Sequence, residues 1–439
     1  MKYDKLFALA KEKGISEIEV AMSTGTDLSF SLFHGEVDSY TSSSSSSYMF
    51  RGIYKGKLGS FISDVYSNDL IPTIIEKIIE NAKYVEDDDP VFIFEGSEKY
   101  KKFSTFDGNL EKIPVDDKMK LLHDLEEKLK NGDPRIIEVE GVEYSESSYL
   151  ETIINSHGLK LTQKNNYFFI YGSVLAKDGD QVKSGGDFLI GNKFEQINVD
   201  ELAKSIIQDA TLQLNGEPCE SGVYKAVLAP DVVKSLLKAY IGSADAEDIQ
   251  KNSSLFVNKL GQKVASSKVT VEDKPLMRTI FGRWFDDEGV ATYNKAIIKQ
   301  GVLQTYLYTL TTAAKDGVSS TGNAIGSGGK PSAGTWFLEM KPGKKTKEEL
   351  FKMVGNGVYI TSVQGLHAGL NPRSGNFSLQ STGFMIENGK IGHPLDIITV
   401  SGNLVNVFQD VQAVGNDSRD FVGSRVPSIL IKKIAVSGK

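Results

Sequence analysis

The feature that most constrains the fold is that runs of strand-like sequence, and not single strands, separate the helical segments. Apolar and polar residues alternate over residues 28–33, the period of a half-buried strand. Residues 68–84, 115–131 and 199–214 instead repeat apolar residues every three or four positions, as amphipathic helices do. Strict strand–helix–strand alternation is absent, so the pattern predicts an α+β fold.

The same pattern divides the chain into three predicted domains, residues 1–112, 113–218 and 223–439. The periodicity lapses over residues 100–115, and a short link with the sequence NGEPCESG follows at 215–222. Beyond the link, a helix over 231–241 precedes short strand-like segments separated by glycine turns. We therefore expect two smaller α+β units followed by a large antiparallel β-rich domain.

The serine run at residues 42–47 leaves two interpretations open. Six consecutive serines are typical of a disordered linker. The aromatic residues Tyr40, Tyr48 and Phe50 on either side equally fit one polar strand within a sheet.

Composition excludes several functional classes. The formal net charge of −7 disfavours nucleic acid as the main partner. Cys219 is the single cysteine, which points to a reducing compartment. No run of 18 apolar residues occurs, and the first 14 residues lack the apolar stretch of a signal peptide. We expect a cytoplasmic protein with neither a membrane span nor a nucleic-acid partner.

Two polar loops are candidate sites. Asp286, Asp287 and Glu288 could bind a hard cation or act as acid and base, although a solvated turn ending in a glycine is the simpler interpretation. His367, Asn371 and Arg373 share a glycine-bounded loop in which Arg373 could hold a carboxylate, and a capped turn is again the alternative.

The C-terminal half resembles the TldD and PmbA (TldE) metallopeptidase family, often labelled modulators of DNA gyrase. The similarity lies in ordered blocks, which are FDDEGVAT (285–292), STGNA (320–324), NP and SGNFS (371–378), GFMIENGKI (383–391), ITVSGNL (398–404), VGND (414–417) and PSILI (427–431). It covers residues 225–435 and adds Asn323, Asn416 and Asp417 to the candidate peptide-binding residues.

The resemblance also bears on zinc. In the TldD branch a His-Glu-x-x-x-His segment after two leucines binds zinc, its Glu serves as general base, and a cysteine near the C-terminus adds a ligand. Here Lys238, Ala239 and Ser243 occupy the positions of the first histidine, the glutamate and the second histidine, in that order, and no cysteine follows Cys219. Lysine places a cation where the metal would sit, and alanine accepts no proton. The resemblance therefore implies a PmbA/TldE-like chain that binds no metal or cofactor itself, with zinc in a TldD-type partner.

On this resemblance we expect a subunit of a zinc-dependent peptidase that degrades or processes unfolded peptides, as a heterodimer with a TldD-like subunit or as a homodimer. One alternative is a homodimeric peptidase whose metal is held by dispersed residues such as Asp286, Asp287, Glu288 and His367. Another is a peptide-binding regulatory protein without enzymatic activity. The net negative charge of the chain disfavours direct contact with DNA.

Overall fold

The computed structural model describes residues 3–86, 88–326 and 329–439. Its helices in these ranges are α1 Asp4–Glu12, α2 Ile71–Lys83, α3 Val115–Asn131, α4 Val199–Thr211, α5 Pro230–Gly242, α6 Ala246–Gln250, α7 Leu310–Asp316, α8 Lys347–Val354, α9 Leu366–Gly369 and α10 Leu404–Gln409. Its strands are β1 Ile15–Phe33, β2 Glu36–Tyr54, β3 Lys57–Ser63, β4 Ile136–Asn155, β5 Lys160–Asp178, β6 Gln181–Gly191, β7 Gly222–Leu228, β8 Val271–Asp273, β9 Lys295–Lys299, β10 Val302–Leu303, β11 Ala324–Ile325, β12 Ser332–Ala333, β13 Leu338–Met340, β14 Gly357–Gln364, β15 Asn376–Glu387, β16 Lys390–Asn403, β17 Val411–Val414, β18 Arg419–Phe421, β19 Ser424–Val426 and β20 Ile429–Ser437.

The N-terminal half is built on one antiparallel six-stranded sheet with the order β3-β2-β1-β4-β5-β6. Its two central strands come from the two predicted N-terminal units, because β1 pairs with β4 from Glu19 to Leu32. Helices α1 and α2 cover the β1–β3 part of the sheet, and α3 and α4 cover the β4–β6 part. The two units thus contribute three strands each to one continuous sheet.

The serine run is a strand. Residues 42–47 lie within β2 and pair with residues 23–28 of β1. Their side chains are mostly exposed, whereas the strand becomes buried from Tyr48 onward. Backbone pairing to β1 therefore holds the polar half of β2 in place where side-chain burial cannot.

The C-terminal half is β-rich and contains two larger sheets. In the first, with the order β16-β15-β14-β7-β20-β17, an additional pairing between β16 and β20 joins the first strand of the row back to the fifth. The second has the order β10-β9-β8-β13-β19-β18. The predicted α+β class with a large β-rich C-terminal region is confirmed. Most strand pairs are antiparallel as expected, although β7 with β14 and β13 with β19 are parallel.

The helices follow the apolar periodicity closely. The helix predicted for residues 115–131 is α3, and the one predicted for 231–241 is α5, longer by one residue at each end. The third predicted helix ends at Thr211 and not at residue 214. Leu214 lies in a turn, yet it is buried in the same core cluster as α4, so the apolar spacing continued past the end of the helix.

A small aromatic cluster joins the two halves. Trp284 and Phe285 pack against Ile153 of β4 and Leu161 of β5. Their rings meet edge to face with centroids 4.6 Å apart. Because residues 286–288, which form the acidic loop, follow directly in sequence, this contact fixes that loop against the N-terminal sheet.

Across the described ranges, every helix is too short or too polar to cross a membrane.

Candidate functional site

The acidic loop forms a buried turn at the junction of the two halves. The Asp286 and Gly289 amides close the turn by donating to the carbonyls of Val290 and Asp286. Gly289 adopts a φ of +84°, which favours glycine. The turn that the sequence predicted is present, but it is not solvated, because Asp286 is fully buried and Glu288 is 5% exposed.

The Asp286 carboxylate is fully occupied by backbone amides. Its Oδ1 accepts hydrogen bonds from the amides of Glu288 (3.0 Å) and Val290 (2.9 Å), and its Oδ2 accepts one from Ala324 (3.0 Å). Burial, together with the nearby charge of Glu288, nevertheless raises the pKa of Asp286 to about 8. Burial also raises the pKa of Glu288.

A buried ion pair that the sequence analysis missed lies beside this loop. Glu19 of β1 and Arg51 of β2 are directly opposed across the strands, and the Nε and Nη2 of Arg51 both donate to the Oε1 of Glu19. Burial alone would lower the pKa of Arg51, but the charge and hydrogen bond of Glu19 raise it, with smaller contributions from Glu288 and Asp286. An arginine within the apolar run of residues 48–53 was the available signal.

A second arginine, Arg283, holds the acidic loop through Asp287. Arg283 donates from Nη1 to Glu151 of β4 (3.2 Å) and from Nη2 to Asp287 (2.9 Å). Its guanidinium also stacks 4.3 Å from the ring of Trp336. The remaining oxygen of Asp287 accepts from the amide of Gly326 at 2.8 Å. Asp287 therefore links the loop to the N-terminal sheet and is not a free ligand.

Asn323 belongs to a buried network with Asp273 and Lys295. Its Nδ2 donates to Asp273 and to the carbonyl of Gly334, both at 2.7 Å, and its Oδ1 accepts from Lys295 at 2.9 Å. The amides of Trp336 and Phe337 complete the shell of Asp273. Burial lowers the pKa of Lys295. These bonds satisfy Asn323 internally and leave it no position on an open cleft.

The second predicted loop lies in the connection from β14 to β15 of the C-terminal domain. His367 lies in α9, and the Oδ1 of Asn371 caps the following turn by accepting from the amides of Arg373 and Ser374. The capped turn is therefore present. The exposed Arg373 also lines an open cavity of about 600 Å³ beside β15.

Asn416 and Asp417 form a third group of candidate residues, next to β17. Both carboxylate oxygens of Asp417 hold Ser428, through its amide at 3.0 Å and its hydroxyl at 2.7 Å. The backbone amide of Asn416 donates to the carbonyl of Lys345. The candidates thus form three separate groups, and of these Asp286, Asp287, Glu288 and Asn323 lie together.

The residues of α5 do not fit a zinc ion. Lys238 is exposed, as the apolar stripe of this helix predicted, Ala239 is half-buried, and Ser243 is the buried residue that ends the helix. None of these side chains is an imidazole, thiolate or carboxylate, the donors that zinc takes in proteins. The described residues also contain no group of three His, Cys, Asp or Glu side chains placed to hold a metal ion, including the proposed set with His367.

Comparison with known proteins identifies relatives over nearly the whole chain. Models of the PmbA/TldA metallopeptidase domain 1, central domain and C-terminal domain match residues 18–84, 108–214 and 221–438. The chain is 27% identical to a metalloprotease PmbA homolog of Haemophilus influenzae, over 98% of this chain and 94% of that protein. It is 24% identical to metalloprotease PmbA of Escherichia coli O157:H7, over 96% and 92% of the two chains.

Solved structures of related proteins share the fold of this chain. A Thermotoga maritima protein, named as a candidate modulator of a DNA gyrase, superposes with a TM-score of 0.91 at 31% identity over 99% of each chain. TldE from Thermococcus kodakarensis shares the fold, with a TM-score of 0.90 at 22% identity over all of both chains. The chain therefore belongs to the PmbA/TldD metallopeptidase family.

Proposed function

We propose that this chain is the metal-free, PmbA/TldE-like subunit of a cytoplasmic zinc-dependent peptidase that degrades or processes unfolded peptides. Its partner is a TldD-like subunit that carries the zinc. Membership of a metallopeptidase family supports the reaction class. One observation carries the assignment of this chain to the metal-free role, namely the set of side chains on α5.

The positions that correspond to the zinc motif of the TldD branch hold Lys238 and Ala239 on α5 and Ser243 directly after it. A lysine ammonium repels a divalent cation, and an alanine cannot serve as general base. The hydrolytic step therefore belongs to the partner, and this chain contributes peptide contacts.

Arg373 is the best-placed group for such a contact. Its side chain is exposed, lines the open cavity beside β15 and carries a charge that pairs with carboxylates. Asn371 fixes the backbone of the same turn, so the position of Arg373 is set before any peptide binds.

The test is to co-express the chain with a TldD-type subunit and to assay the purified pair, the partner alone and this chain alone on an unstructured fluorescent peptide. We expect chelator-sensitive hydrolysis by the pair well above that of either subunit. Arg373→Ala should raise the KM of the pair, while Lys390→Ala, an exposed control, should not. Equal activity of the partner alone, or chelator-sensitive activity of this chain alone, would contradict the proposal.

A further inference from the structure

A small cavity separates the N-terminal sheet from the C-terminal domain, away from α5 and from the Arg373 loop. Its volume is about 260 Å³, below the roughly 300–1,000 Å³ of sites for drug-sized ligands. The charged side chains on its wall are Arg51, Asp89, Glu288 and Lys330. Its remaining lining includes an apolar surface made by Leu58, Val85, Pro90, Val91, Phe92 and Pro331.

Two of these charged groups are nearly buried and incompletely bonded. Arg51 is 5% exposed, and only its Nε and Nη2 are engaged, by Glu19. Glu288 is also 5% exposed, and only its Oε2 is engaged, by the Leu310 amide. Within the described residues, Nη1 of Arg51 and Oε1 of Glu288 make no hydrogen bond, and no direct ion pair joins the two side chains. A guanidinium and a carboxylate thus line one cavity, each with an unused bonding position.

The other two charged groups are already neutralised. Asp89 forms ion pairs with Lys315 and Lys330, the latter at 2.8 Å, and Lys330 also lies 3.3 Å from Glu247. Of the other two, Arg51 is already paired with Glu19 but keeps Nη1 as an unused donor, whereas Glu288 has no ion-pair partner among the described residues. Leaving a buried polar atom without a partner is costly, so a ligand that bonds to both Nη1 of Arg51 and Oε1 of Glu288 gains more than one that bonds to either.

We propose that this cavity binds a free α-amino acid with an apolar side chain. The ligand carboxylate pairs with Arg51, the ligand ammonium pairs with Glu288, and the side chain packs on the apolar wall around Leu58 and Phe92. A free amino acid carries both charges on one carbon, whereas each end of a longer peptide carries one. This goes beyond the proposed function, because it adds a small-molecule site to the chain itself.

Binding at this place has a structural consequence. Arg51 belongs to β2 of the N-terminal sheet, whereas Glu288 belongs to the acidic loop of the C-terminal domain. A ligand held by both side chains links the two halves of the molecule and stabilises their present arrangement. Free apolar amino acids are also products of complete peptide hydrolysis, so the site is suited to sensing such products.

The experiment is isothermal titration calorimetry of the full chain, without any partner subunit, with L-leucine, N-acetyl-L-leucine and L-leucinamide. We expect L-leucine to bind and each analogue, which lacks one of the two charges, to bind at least about tenfold more weakly. Glu288→Gln keeps an acceptor for the Leu310 amide but loses the charge, and should weaken L-leucine binding by a similar factor. Glu127→Gln, an exposed residue of α3, is the matched control and should not change it.

Absence of L-leucine binding would overturn the proposal. N-acetyl-L-leucine binding as tightly as L-leucine would make the cavity a site for peptide C-termini, and equal binding of L-leucinamide would make it a site for peptide N-termini. Either result rejects a free amino acid as the ligand. If circular dichroism shows that Glu288→Gln is unfolded, the comparison of analogues on the unchanged chain still decides. Because no peptidase partner is present, failure here is distinguishable from failure of the proposed function.

Discussion

At the scale of single residues, Asp286 is the most perturbed group of the acidic loop. Its folded pKa of about 8 lies well above its ordinary value of 3.8, so the folded protein keeps a proton that the unfolded chain releases. The stability contributed by this proton is complete below pH 3.8 and is lost as the pH rises toward 8.

We therefore expect pH to change the free energy of unfolding of the unmodified chain relative to that of Asp286→Asn, which cannot ionise. The unmodified chain should lose up to about 1.4 kcal/mol per pH unit relative to the variant between roughly pH 4 and pH 8. Urea unfolding of both proteins at several pH values measures this. If the stability of the unmodified chain relative to the variant instead stays constant or rises with pH, Asp286 is ionised in the folded state.

The Glu19–Arg51 pair gives a second prediction at this scale. Arg51→Met leaves the buried Glu19 carboxylate without its partner, which should cost about 3–5 kcal/mol of stability. The double variant Glu19→Leu with Arg51→Met removes both charges and should recover most of that loss. Urea unfolding of the single and double variants gives the comparison. A double variant as unstable as Arg51→Met alone would mean that packing, and not the unpaired charge, causes the loss.

The acidic loop could be predicted from the sequence, but the charged residues that surround it could not. Asp286, Asp287 and Glu288 stood out as clustered carboxylates that could bind a cation or act as acid and base, and the glycine after them indicated a turn. The partners Arg51 and Glu151 lie more than a hundred residues away in sequence, in strands whose register the periodicity does not give. Burial of the loop therefore could not be predicted, because it depends on contacts between the two halves of the chain.

At the scale of elements, close contact between α2 and β3 depends on one glycine. A Cβ on Gly59 of β3 would lie 1.9 Å from the carbonyl oxygen of Ile78 in α2. Gly59→Ala should force α2 away from the sheet and destabilise the protein by about 1–3 kcal/mol.

Gly242, at the end of α5, is the matched control, since a Cβ there meets nothing within 4 Å. Gly242→Ala should be neutral or stabilise the protein by up to about 1 kcal/mol through lower entropy of the unfolded chain. Urea midpoints of the two variants test this. Equal destabilisation by both substitutions would refute the role assigned to the α2–β3 contact.

Elements with strong apolar periodicity were predictable, and weakly patterned ones were not. The stripe of isoleucines in α2 and the leucines of α3 fix both helices, because one face of each must be buried. The serine run left strand and linker open, since its backbone pairing to β1 leaves no trace in side-chain composition. The parallel pairing of β7 with β14 could not be predicted either, because the paired residues Ala226 and Val358 are 132 positions apart in sequence.

At the scale of the whole molecule, three regions of sequence produce two halves joined by a polar junction. The first two regions share one sheet through the pairing of β1 with β4, and the acidic loop with its arginines ties that sheet to the C-terminal domain. The proposed amino-acid cavity is part of this junction, whereas α5 and the Arg373 loop belong to the C-terminal domain alone.

The central claim is that this family member does not itself hold the zinc of the peptidase. Elemental mass spectrometry of the purified chain, after dialysis against metal-free buffer, tests it most directly. We predict far less than one zinc per chain, because Lys238, Ala239 and Ser243 offer no suitable ligand. Retention of about one zinc per chain would contradict the account and make this chain a candidate for the catalytic subunit.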